Sequence, residues 1–329
     1  MEFCNREEAI LRMNAYGKAG KPFFFLISFD ESECLVLAPN EVSSDKLLYH
    51  FPEVSNVVYK SESNIGRNFK WRAYSESFDS YQKSFDKVLQ NIYAGNSFLA
   101  NLTCATPVYT DLSLEDIFVH SEARYKLLLK NRFVCFSPET FVRIRGGFIF
   151  SYPMKGTIDA SVANARNVLL GDEKEAAEHA TITDLIRNDL SRVATQVVVV
   201  RYKYIEKLNI CNGALYQMSS EIRGKLPNDY REELGNLFFS LLPAGSITGA
   251  PKKKTVEIIR EAENYQRGFY TGVTGFFDGT NLDSAVLIRF LEVDPDGNML
   301  FKSGGGITFQ SDVRSEYEEM RKKVYVPIN

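Results

Sequence analysis

Histidine is scarce in this chain: His50, His120 and His179 are the only three in 329 residues. That scarcity argues against a histidine-rich metal site and leaves few partners for a Ser-His or Cys-His nucleophilic couple, so the chemistry falls to carboxylates and lysine. The five cysteines, Cys4, Cys34, Cys104, Cys135 and Cys211, are odd in number, widely spaced and form no Cys-x-x-Cys. Neither a disulfide frame nor a zinc site is favoured, and reduced core thiols in a cytoplasmic protein are expected. A surplus of one charge is lacking too. The net charge of −3 gives no broad attraction to nucleic acid or anionic lipid, so neither is expected as a partner. No apolar run is long enough to span a bilayer; the longest, residues 22–27 and 197–200, read as buried strands. Residues 1–8 carry no basic patch followed by an apolar core, so no secretion signal is expected there.

What is present is ordinary for a globular protein, with 44% apolar and 25% charged residues. Residues 1–75 hold short β-type runs at 23–27, 34–37 and 56–59, divided by polar turns. From Ser77 the pattern turns helical: Tyr81, Phe85, Val88, Leu89 and Ile92 recur at three and four until Gly95 ends the run. Strands are expected at 98–103, 132–136, 141–144 and 147–151, a long helix over 172–193, and a strand at 196–202. Helices near 232–242 and 251–265, strands near 271–277, 285–293 and 299–302, and a last helix from Asp312 complete the reading. Strands and helices mix without strict βαβ alternation, which predicts an α+β fold with mainly antiparallel sheets.

Lys155-Gly156-Thr157 follows a strand and Pro153, and reads as a tight turn carrying a lysine. Such a lysine is an anion clamp or a covalent nucleophile, although taken alone a solvated surface lysine is the plainer reading. Glu175 and Glu178, three apart on the long helix, share a face, as do Glu316 and Glu319 on the last helix. Each pair alone reads as a solvated helix face. Brought into one cleft, four carboxylates would repel unless a hard cation such as Mg2+ sat between them.

Asp184-Leu185-Ile186-Arg187-Asn188-Asp189 has poor helix propensity in mid-helix, which points to tertiary hydrogen bonds holding it. The stretch from Pro243 to Lys252 looks like a phosphate loop, but Ala250 and Pro251 stand between Gly249 and Lys252, so the Walker spacing fails. A nucleotide-binding protein using Gly245 to Lys252 is the reading from another functional class. Gly304-Gly305-Gly306 permits close approach of backbone to an anion, or makes a flexible hairpin. Arg289, inside an apolar strand, is paired inward or solvated outward.

In this order the motifs resemble those of the chorismate-utilising enzymes. The matching strings are Ser137-Pro138-Glu139-Thr140-Phe141, Pro153 to Thr157, Glu178 through Asp184 to Leu190, Gly245 to Lys252, Tyr270 to Gly272, Ile288-Arg289, Gly304 to Ile307 and Glu316 to Glu319. They cover roughly residues 77–325, with 1–76 as a shortened N-terminal β-rich part of the same fold. The resemblance implies two facing antiparallel sheets flanked by helices, with the active site in the cleft between them. It implies Mg2+ held by Glu178 and Glu319, with Glu175 and Glu316 acting directly or through water. It implies that Gly304, Gly305 and Gly306 face a substrate carboxylate, that Tyr270 and Arg289 grip the enolpyruvyl group, and that Gly156 and Thr157 line the substrate site. Glu139 resembles the general acid that protonates the departing C4 hydroxyl.

Lys155 resembles the lysine of the family's aminodeoxychorismate-forming branch, where the amine attacks C2 of chorismate and ammonia from a glutamine amidotransferase subunit then takes its place. That branch feeds the folate pathway through 4-aminobenzoate. The anthranilate-forming branch is the nearest alternative; it usually has alanine at the position of Lys155 and histidine at the position of Gln217. A nucleophilic role requires a neutral amine, so a lowered pKa is expected at Lys155.

Overall fold

Residues Phe23–Ile27 are buried on both faces, and this sets the layering. Phe23, Phe25 and Ile27 enter a cluster with Leu234, Phe238 and Phe239, which lie in or beside the helix Leu234–Ser240. Phe24 and Leu26, on the opposite face, meet Tyr49, Phe51, Leu127 and Phe133 of a second sheet. Phe24 stacks on Tyr49 with ring centroids 5.0 Å apart, and Phe25 meets Phe238 edge-on at 4.8 Å. Full burial of each such side chain contributes about 2–3 kcal/mol.

The computed structural model describes residues 1–57, 69–210 and 213–328. Residues 58 and 59 of the expected strand at 56–59, and Cys211, lie outside the described residues. Two nine-stranded sheets face each other, and their strand pairings are antiparallel. The first runs from Met154–Asp159 through Gly213–Lys225, Phe148–Ser151, Thr140–Arg145, Leu282–Val286, Val273–Phe277 and Phe23–Ile27 to Cys34–Leu37. The second runs from Gly249–Ala250 through Leu99–Thr110, Met299–Ile307, Phe290–Val293, Phe133–Ser137, Tyr125–Leu129 and Leu47–Phe51 to Val54–Ser55. The helices Phe78–Tyr93, Lys252–Ala262 and Val313–Lys322 cover the second sheet through Tyr81, Phe85, Ile258 and Met320. The helix Glu173–Leu190 packs Ile182, Ile186 and Leu190 against the first. The architecture is α+β, as expected.

Several local expectations need correction. Residues Arg6–Ala19 form a helix where only strands were expected nearby. The helix buries Ala9, Met13 and Gly17, too little apolar surface to print a periodic signal. It docks through glycine instead: a Cβ on Gly17 would stand 2.2 Å from the Arg231 carbonyl oxygen, and one on Gly235 would stand 2.4 Å from that of Ile10. The four valines at 197–200 are not buried. They lie on Thr195–Ile210, which among the described residues pairs only with Gly213–Lys225, and Val198 and Val200 remain 46% and 45% exposed.

The strand expected over 285–293 is two strands in different sheets, Leu282–Val286 and Phe290–Val293. Between them Arg289 takes φ of 55°, an unusual conformation for a side-chain-bearing residue, where the chain crosses from one sheet to the other. The three glycines form no hairpin: they continue the strand Met299–Ile307. Lys155 lies within a strand too, not on a turn, at a register shift between Met154 and Thr157 where Gly156 has φ of 79°.

Candidate active site

The register shift puts Lys155 against the long helix. Its Nζ donates to Glu178 Oε2 at 2.9 Å. A Cβ on neighbouring Gly156 would stand 3.0 Å from Glu175 Oε2, so any larger residue would crowd that carboxylate. Asp172 caps the helix by accepting from the Glu175 amide, which fixes the turn carrying both glutamates. Across the cleft, a Cβ on Gly306 would stand 3.6 Å from Lys155 Nζ, so the glycine strand of the second sheet faces the lysine of the first.

Among the described residues, that glycine stretch has one edge without a sheet neighbour. Leu99–Thr110 pairs with it as far as Ile307, whereas Phe290–Val293 stops at the pairing of Phe290 with Lys302. The crossing at Arg289 is what ends that second pairing. Backbone groups on the uncovered edge are therefore available to a ligand. The last helix lies against the same strand. Glu316 Oε2 lies 3.1 Å from where a Gly305 Cβ would be, and Glu316 is buried. Ser311 donates to Glu316 Oε1 at 3.0 Å. Lys323 pairs with Glu319 Oε1 at 2.7 Å and donates to the Gly304 carbonyl at 2.8 Å.

Glu139 sits in the link between Phe133–Ser137 and Thr140–Arg145, so it is held by strands of both sheets. Its carboxylate accepts from the Ser246 hydroxyl. Burial pushes the carboxyl up, and the Ser246 hydrogen bond and the charges of Lys155 and Arg289 only partly offset this; the net direction is upward. An upward shift is the direction that suits a general acid.

Lys155 departs from expectation. Burial alone would lower its pKa, but Glu178, aided by Glu319 and Glu175, outweighs it and holds the ammonium above the usual lysine value. Lys323 goes the other way: burial outweighs Glu319 and lowers it.

Tyr270 is buried, with its ring 5.9 Å from that of Phe290, and its ionisation is pushed well above the ordinary tyrosine value by burial. Arg289 acts electrostatically on both Tyr270 and Glu139, and its guanidinium lies over the Tyr325 ring at 5.7 Å. Lys155, Gly156, Glu175, Glu178, Gly306 and Glu319 are thus close to one another, with Glu139, Arg289 and Tyr270 beside them, while Gly304, Gly305 and Glu316 meet along the same strand, Glu316 on the face opposite Lys155. Thr157 is exposed and pairs in register with Gln217.

Three contributors escaped the sequence reading. Ser246 and Lys323 are conspicuous only once the chain is folded. His179 is fully buried; its Nε2 contacts Ser220 Oγ at 2.7 Å, tying the helix of Glu178 to Gly213–Lys225, and burial with the charges of Lys203 and Lys155 pushes it down to about 4. It follows Glu178 directly in sequence, and that adjacency was the available signal.

The phosphate-loop lookalike has a structural role. Lys252 Nζ pairs with Asp189 Oδ2 at 2.8 Å, both largely buried, and donates to the Leu241 carbonyl at 2.7 Å. The lysine a nucleotide would need is engaged inside the protein, and Asp189 is the tertiary anchor in the polar helix string. Asp184, Arg187 and Asn188 bond among themselves at the surface.

The acidic side chains there, Glu175, Glu178, Glu316 and Glu319, offer carboxylate oxygens, the chemistry Mg2+ prefers. Among the described residues no three His, Cys, Asp or Glu side chains converge into a ready cage. Magnesium commonly uses one or two carboxylates with water and substrate oxygens, so the residues present fit it without a cage. The described cysteines, Cys4, Cys34, Cys104 and Cys135, are free and buried. No described helix is long and apolar enough to cross a membrane.

A family model described as chorismate binding enzyme matches residues 43–329. An uncharacterized PabA-like protein of Pasteurella multocida is 45% identical over 97% of this chain and 98% of its own length. Aminodeoxychorismate synthase component 1 of Bacillus subtilis is 32% identical over 75% of this chain and 54% of its own. In fold, the chain matches the menaquinone-specific isochorismate synthase of Escherichia coli with a TM-score of 0.74, at 16% identity, over 98% of this chain and 82% of that one.

Proposed function

The chain belongs to the chorismate-binding enzyme family, and on that premise we propose that it aminates chorismate to 4-amino-4-deoxychorismate, with Lys155 as covalent nucleophile. The observation that carries this reading is the position of Lys155 Nζ, between Glu178 and the face of the glycine strand at Gly306. A surface lysine would have no such surroundings. The similarity to a relative named as one component of aminodeoxychorismate synthase supports the same branch.

In the proposed sequence the Lys155 amine forms a bond to C2 of chorismate. Both conjugated ring double bonds shift by one position, the C4–O bond breaks, and Glu139 gives its proton to the departing oxygen, which leaves as water. Ammonia then bonds to C4, both double bonds shift back, and the C2–N bond breaks to return Lys155. The sum is chorismate plus ammonia giving aminodeoxychorismate plus water. Lys155 must first lose the proton that Glu178 stabilises. Arg289 and the backbone of Gly304 to Gly306 orient the substrate carboxylates, and Tyr270 backs them from the core. Mg2+ would be held by Glu178 and Glu319, with Glu175 and Glu316 beside them, and would supply counter-charge for the ring carboxylate. A glutamine amidotransferase subunit is the proposed ammonia source.

The test is covalent trapping. With chorismate and Mg2+ but no ammonia, peptide mass mapping should find chorismate less one water on Lys155. No adduct, together with full activity in Lys155→Ala, would end the proposal.

A further inference from the structure

Lys155 Nζ meets Glu178 Oε2 at 2.9 Å, yet the two residues stand on different elements, the strand Met154–Asp159 and the helix Glu173–Leu190. The distance holds only if the helix is fixed against the strand. Apolar packing fixes the far end of the helix, where Ile182, Ile186 and Leu190 enter the core. The near end carries Glu175 and Glu178. From Asp172 to Ala180, His179 is the one buried side chain among the described residues.

His179 Nε2 lies 2.7 Å from Ser220 Oγ, while its Nδ1 meets no hydrogen-bonding group among the described residues. The Ser220 contact is therefore the ring's single polar anchor there. Ser220 is itself fully buried on Gly213–Lys225, and its backbone N–H donates to the Pro153 carbonyl at 3.0 Å. Its Oγ also accepts from the Lys203 N–H at 3.0 Å, at a register shift between Arg201 and Tyr204 where Lys203 takes φ of 52°.

These contacts close a ring. Lys155 meets Glu178, Glu178 precedes His179, His179 meets Ser220, Ser220 holds Pro153, and Pro153 stands two residues before Lys155. One serine thus grips both sides of the Lys155–Glu178 contact. The grip matters because the strand shifts register between Met154 and Thr157, so its ladder alone does not fix Lys155. We propose that His179 is a positioning residue: through Ser220 it holds the near end of the helix to the strand and so sets the Lys155–Glu178 contact. The consequence for turnover rests on the amination reading, and the geometric part does not.

The test reads the contact without turnover. A water-soluble carbodiimide joins an amine to a touching carboxylate as an amide, and the water lost is taken up by the carbodiimide, which leaves as its urea. On the intact chain, without chorismate or Mg2+, peptide mass mapping should find Lys155 joined to Glu178. His179→Leu keeps an apolar side chain in place of the ring and should lower that yield about tenfold, the loss expected for one buried hydrogen bond. Ser220→Ala should lower it likewise, and it keeps the test decisive where the leucine variant does not fold. His179→Gln, whose amide can stand in for Nε2, should recover most of the yield, which a space-filling role would not give. In chorismate consumption His179→Leu should lose about ten- to a hundredfold in kcat, the cost of a misplaced reacting group, with KM little changed. No Lys155–Glu178 amide in the native chain, a native yield in both deletion variants, no recovery in His179→Gln, or a loss confined to KM would each overturn the inference. Because cross-linking needs no turnover, a chain that cross-links as expected yet forms no aminodeoxychorismate would count against the amination reading and leave the positioning role standing.

Discussion

At the residue scale the cleft turns on two groups whose pKa values are both raised, for different reasons. Glu139 is raised because burial penalises its carboxylate, and Lys155 because carboxylates favour its ammonium. The glutamate makes a stability prediction with a definite sign. A carboxyl whose folded value exceeds its unfolded one favours folding most at low pH, and that contribution is lost as pH rises through the folded value. Glu139→Gln removes the penalty, so at neutral pH its thermal midpoint should be no lower than that of the native chain. Its turnover should fall by about 10²- to 10⁴-fold, the usual contribution of a general acid. Ser246→Ala removes a hydrogen bond that favours the carboxylate, so the alkaline limb of the rate profile should move to higher pH. A downward move would contradict the role given to Ser246.

These residues were unequally legible. Lys155 and the paired glutamates stood out through the order of the motifs and the family resemblance; by spacing alone they read as a solvated lysine and solvated helix faces. Ser246 did not stand out, since nothing in its own neighbourhood announces a partner 107 positions away. The protonation of Lys155 was misjudged because burial was weighed without Glu178.

At the scale of elements, Asp189 and Lys252 show how a buried pair can position rather than stabilise. Burial pushes Asp189 up and Lys252 down against their mutual attraction, so removal from water costs more than the pair returns. Asp189→Asn should cost about 3–5 kcal/mol by leaving a buried ammonium unanswered. Replacing both, Asp189→Leu with Lys252→Met, should recover most of that, and urea unfolding would measure it. If the double variant were as weak as the single one, the pair would be a net stabiliser after all.

Elements that bury an apolar stripe were readable: the helix Phe78–Tyr93 begins after Ser77 and buries Tyr81, Phe85, Val88 and Ile92, as the periodicity requires. The helix Arg6–Ala19 was missed because it docks through Gly17 and Gly235, and close backbone approach leaves no periodic trace. The valines at 197–200 misled because an edge strand and a buried strand share β-branched composition. The strand over 285–293 split because a sheet-to-sheet crossing at Arg289 depends on tertiary placement that apolar runs do not encode.

At the scale of the whole molecule, two antiparallel sheets bring together residues from Glu139 to Lys323 around one cleft. The fold class followed from mixed strands and helices without strict alternation, while the facing of the sheets came from the resemblance of the motifs. The central claim is that this cleft aminates chorismate and keeps the enolpyruvyl group. Its most direct test is product identification: the purified chain with chorismate, Mg2+ and ammonium at alkaline pH, the products separated by liquid chromatography with mass detection. The account predicts aminodeoxychorismate with no pyruvate released. Anthranilate with an equal amount of pyruvate would contradict it, and would mean that neither Lys155 nor Gln217 sets the branch.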